Sequence, residues 1–73
     1  MLTINWTEYK EYKKHTNKQD NFEILLDFMK SYYNMSNPRD IFDTLNADDT
    51  ASMMLDKRDI MDAEALETFL FKR

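Results

Sequence analysis

Apolar residues recur along this chain at intervals of three and four, and nowhere do branched residues alternate over a strand's length. Intervals of three and four place side chains on one face of a helix, so the pattern predicts an all-α fold. The pattern is clearest between residues 21 and 34. Phe22, Leu25, Leu26, Met29, Tyr32 and Tyr33 form one stripe, which Ile24 and Phe28 widen, while Glu23, Asp27 and Lys30 lie outside it. A helix is expected at 21–34, ending at Asn34. It is the expected centre of a single small domain, residues 1–73, in which four or five short helices pack around it. Phe22, Leu25, Leu26 and Met29 are the expected middle of the core.

Polar residues at the ends of these stripes give the boundaries. Asn5, with Glu8 three positions later, reads as a capping box opening helix 1 at 6–15. Ile4 and Tyr9 stand where a hydrophobic staple would close, and Trp6, Tyr9 and Tyr12 lie on or near the inner face. Asn17 is the expected left-handed terminator in a chain without glycine. Asp20 and Glu23 repeat the capping box before helix 2. Asn37-Pro38 opens helix 3 at 38–45, since proline is favoured at the first helical position. That helix is expected to bury Ile41, Phe42 and Leu45 and to end or bend at Asn46. Ala47, Ala51, Met54 and Leu55 place helix 4 at 47–57. Asp62 caps helix 5 at 63–72, with Met61 and Leu66 as its staple and Phe69 and Leu70 inward. Lys72 and Arg73 would complement the carboxyl end of its dipole.

Composition narrows the function classes. The chain has no cysteine, so it carries neither a disulfide framework nor a thiolate metal site. It has no glycine, which excludes Walker loops, dinucleotide fingerprints and nucleophile elbows. Apolar runs reach only three residues, far short of the roughly 20 that cross a bilayer. No basic segment precedes an apolar stretch at the start, so no signal peptide is expected. Together these favour a cytoplasmic protein. Asn, Lys, Ile, Tyr and Phe total 26, whereas Gly, Ala, Arg and Pro total 8, a bias that AT-rich coding produces and that fits a low-GC bacterium or its phage.

Charge separates the two ends. Residues 1–19 hold four lysines against two glutamates, whereas residues 40–67 hold nine carboxylates against Lys57 and Arg58, a balance of −7. The net charge of −4 disfavours direct binding to nucleic acid or anionic membrane. Candidate chemistry is sparse. His15 is the only histidine and stands beside Lys13 and Lys14 at a helix end, where it reads as a surface residue that complements the helix dipole. Asp56, Asp59 and Asp62 recur every three residues, but the alternating ligands and the glycine of a calcium loop are missing. No metal or other cofactor is expected, and the protein is not expected to be an enzyme.

An interaction role remains. Met53 and Met54 are consecutive and cannot both face one core, so one of them, with Leu55, is expected on a less buried face. Asp48, Asp49, Met53, Met54, Asp56 and Asp59 are the candidate partner-binding residues. Such a surface suits an inhibitor or adaptor that binds a larger protein with a basic patch, as nucleic-acid-processing proteins have. Carboxylates spaced along helices at i, i+3 and i+4 lie about 5–6 Å apart and can stand in for phosphates. The competing class is a structural or assembly factor, with a homodimer allowed. Its basis is ten aromatics in 73 residues, more than so small a core readily encloses.

Overall fold

The computed structural model describes residues 3–71. It is all-α: among the described residues there are five helices and no strand. They are α1 (Trp6–Lys14), α2 (Asn21–Tyr32), α3 (Pro38–Asn46), α4 (Asp49–Lys57) and α5 (Ala63–Phe71). The expected roles of Lys72 and Arg73 lie outside the described residues. The chain divides into two compact units, one spanning Asn5–Met35 and the other Ser36 to Phe71 with Thr3 and Ile4.

In the Asn5–Met35 unit α1 packs against α2. Asn5 caps α1, its side-chain oxygen accepting from the N–H groups of Thr7 and Glu8. The N–H of Asn5 is bound not by Glu8, as in a reciprocal capping box, but by the hydroxyl oxygen of Tyr33 at 3.0 Å. A tyrosine from beyond the end of α2 thus closes the start of α1. Phe22, Ile24, Leu25, Leu26, Phe28 and Met29 are all at most 1% exposed. Burial therefore covers more of α2 than one stripe. Tyr32, expected inside, is 51% exposed, and Tyr33 is half-buried. Tyr32 is the last residue of α2 and Tyr33 its C-cap, so the helix ends two residues short of the expected Asn34.

Phe28 is the hub of an aromatic cluster. Its ring lies 5.9 Å from Tyr9, 5.7 Å from Tyr12, 4.6 Å from Tyr32 and 5.4 Å from Tyr33. Trp6 meets Tyr9 edge-on at 5.3 Å. Six of the ten aromatics are occupied here, which removes most of the surplus the composition implied.

In the second unit α3 packs against both α4 and α5. Asn37 and Asp48 cap α3 and α4 through Arg39 and Ala51, and Asp62 accepts from the N–H of Ala65 at 2.8 Å. Ile41, Leu45, Ala51 and Leu66 are fully buried. Leu55 is 2% exposed, which corrects its expected place on an outer face: it and Ala51 are the inner residues of α4. Phe42 is only half-buried. Met61 is 72% exposed, so its staple with the buried Leu66 is not closed.

Two helix ends differ from expectation. Asn17 is not left-handed, and α1 stops at His15 with φ −107°. The positive φ values fall at Asn34 and Asp59, both 57°. Asp59 completes a Schellman motif on α4: its N–H donates to the Asp56 carbonyl, and the N–H of Ile60 to the Leu55 carbonyl, each at 3.1 Å. Ile60 and Leu55, both buried, supply the apolar contact positions that accompany this motif. At its other end α4 starts at Asp49 and not at 47, because Ala47 closes α3 and Asp48 is spent as the cap.

Candidate functional site

The six predicted contact residues all lie on α4 or at its two ends, and the helix sorts them. Ala51 and Leu55 fix the inner face, and Asp49, Met53 and Asp56, at i, i+4 and i+7, share the opposite one. All three are exposed, Met53 by 60%. Met54 turns to the flank and is half-buried. Lys57, one turn beyond Met53, edges the same face.

The other two are local structure. Asp48 is half-buried and holds the Ala51 N–H at 3.1 Å. Asp59 is exposed, but its backbone ends the helix. The structure thus brings Asp49, Met53 and Asp56 together and assigns Asp48 and Asp59 the two ends of α4. A sulfur between two carboxylates gives this face a polarizable apolar centre with charge at its rim.

Sequence reasoning missed a groove between α3 and α5. One recess of about 310 Å³ is lined by Arg39, Phe42, Asp43, Asp62, Ala63 and Glu64. An adjoining one of about 230 Å³ shares Arg39, Ala63 and Glu64 and adds Asn37, Pro38 and Glu67. Both are open to solvent. Carboxylates here outnumber the single guanidinium, so the groove continues the acidic character of this unit. The half-exposure of Phe42 follows from its place in this wall. The only sequence signal was the −7 balance, because Arg39 and Glu64 come to line one recess only once α5 lies on α3.

Further along α5, Phe71 is 76% exposed, while the Arg58 guanidinium lies 5.5 Å above the Phe69 ring and ties the end of α4 to α5. Among the described residues no group of three His, Asp or Glu side chains is arranged to hold a metal ion. His15 is exposed at the end of α1. No described helix is long and apolar enough to cross a membrane. No protein-family model matches the chain, and neither a curated protein nor a solved structure is similar to it.

Proposed function

We propose that this protein is a non-enzymatic regulator, an inhibitor or adaptor, that binds one larger protein through the outward face of α4. The observation that carries the reading is Met53, 60% exposed between the exposed carboxylates of Asp49 and Asp56 on a helix anchored by Ala51 and Leu55. An exposed thioether adapts to an apolar pocket, and the carboxylates beside it steer the encounter towards a basic patch. The partner class is a protein that handles nucleic acid, whose phosphate-binding surface would accept carboxylates in place of phosphates. The setting is the cytoplasm of a low-GC bacterium or of a cell infected by its phage, which the AT-favoured composition supports.

The test compares the parent with D49K/D56K. Both are immobilised, extract of the native host is passed over them, and a basic protein is expected on the parent only. Asp48 stays untouched, because reversing it would also uncap α4. With the retained partner purified, the variant should associate more slowly and with a flatter salt dependence. Equal binding by parent and variant from about 50 to about 500 mM salt would remove the carboxylates from the mechanism.

A further inference from the structure

We propose that Met53 is a reversible oxidation site, through which peroxide withdraws this protein from its partner. The inference rests on the outward face of α4 being the contact surface, and it adds how that surface is switched off. The chain has no cysteine, so methionine is the side chain on which peroxide chemistry is reversible here. The fold grades the methionines. Met29 has no exposed area, and Met35 and Met54 are half-buried. Met53 and Met61 stand out at 60% and 72% exposed. Of these two only Met53 lies on the proposed contact face, with Asp49 and Asp56 on either side. Met61 precedes the cap of α5 and is a control within the same chain.

A lone pair of the thioether sulfur attacks one oxygen of hydrogen peroxide, so that an S–O bond forms and the O–O bond breaks. The departing hydroxide takes the proton left on the transferred oxygen, and the products are a sulfoxide and water. Sulfur is oxidised and peroxide is reduced. The oxidant is neutral, so the flanking carboxylates do not repel it as they would an anionic one. Reduction by a dithiol enzyme of the methionine sulfoxide reductase class returns the thioether, with a disulfide and water formed.

Position decides the consequence. Ala51 and Leu55 hold α4 from its inner face, so an oxygen added at Met53 enters solvent and leaves the helix in place. At the contact the same oxygen puts a polar hydrogen-bond acceptor where the reduced sulfur offers an apolar centre, and burying it without a donor is unfavourable. Asp49 and Asp56 remain, so the oxidised face keeps its charge and loses its apolar middle.

The purified chain is partly oxidised with hydrogen peroxide, the oxidant is removed, and the sulfoxides are mapped by mass spectrometry of peptides. Met53 and Met61 should take up oxygen well before Met29, with far-ultraviolet circular dichroism unchanged. The mixture is then passed over the immobilised partner that the unoxidised parent retains. Bound molecules should be depleted in Met53 sulfoxide by roughly tenfold or more, whereas Met61 sulfoxide should divide evenly between bound and unbound fractions. The two methionine sulfoxide reductases, one for each sulfoxide epimer, should with dithiothreitol restore binding to the unbound fraction. Oxidation of Met29 as early as Met53 overturns the proposal, and so does Met53 sulfoxide divided evenly between the fractions. If D49K/D56K has meanwhile failed to bind, that even division removes the switch and leaves the contact face standing. An unoxidised parent that retains no partner removes the contact face and the switch with it.

Discussion

Asp59 holds a φ of 57°, which a side chain with a Cβ occupies at a cost. Its carboxylate also stands at the carboxyl end of α4, where the helix dipole disfavours negative charge. Asp59→Gly relieves both, and only the extra freedom of the unfolded chain opposes the gain. The variant should be more stable by about 0.5–1 kcal/mol, and Asp59→Val less stable than the parent, in thermal melts followed by circular dichroism. Equal melting of all three would mean that Asp59 does not terminate α4. Tyr9 makes a second residue-level claim. Burial, and secondarily the charge of Asp20, raise its phenol above the usual value of 10.0. Its hydroxyl also donates to the Asn21 carbonyl at 3.2 Å. A raised folded-state value means that the native state holds the proton more tightly. This contribution to stability is complete below pH 10 and is lost as pH rises through the folded value. Tyr9→Phe should therefore show a shallower loss of stability above pH 10 than the parent.

The helix is the scale at which sequence was most informative, and α4 shows where that ended. Starts were legible at Asn5, Asp20, Asn37 and Asp62, since a capping side chain and the N–H it binds are two or three residues apart. Asp48 escaped this reading: Ala47 fits the apolar spacing of α4, which drew the helix back past its own cap. Ends were harder. Without glycine the left-handed position falls to an Asn or Asp, and this chain has six of one and nine of the other. Periodicity also could not tell Leu55 from Met53, because neighbouring apolar residues are separated into inner and outer only by what the helix packs against. The cap assignment predicts a contrast. Asp48→Ala should cost about 1 kcal/mol. Asp49→Ala loses only a dipole interaction, about a few tenths of a kcal/mol at an exposed site. Denaturant titration of the two single variants checks it, and an equal loss would remove the cap from Asp48.

Across the whole molecule, burial is the main source of stability. There is no cysteine to cross-link 73 residues, and chains of this size fold with only a few kcal/mol to spare. The fully buried positions are few: Leu25, Leu26, Phe28 and Met29 on α2, and Ile41, Leu45, Ala51 and Leu66 in the other unit, have no exposed area. The alternative, stability spread over surface ion pairs, has little support: Lys14–Glu11 at 3.3 Å is exposed, Lys18–Asp27 joins two partly exposed side chains, and such pairs contribute at most about 1 kcal/mol each. Removing three carbons from a site that cannot collapse costs both their transfer energy and the cavity left behind. Leu25→Ala should therefore lose about 2–4 kcal/mol, most of what the fold has. Truncating Met53, 60% exposed, should change stability by less than about 0.5 kcal/mol. Thermal and denaturant melts of the two variants beside the parent decide the matter. A Leu25→Ala chain as stable as the parent would mean that α2 does not carry the core. A Met53→Ala chain as unstable as Leu25→Ala would put that sulfur in the core, and α4 would then have no outward face to offer any partner.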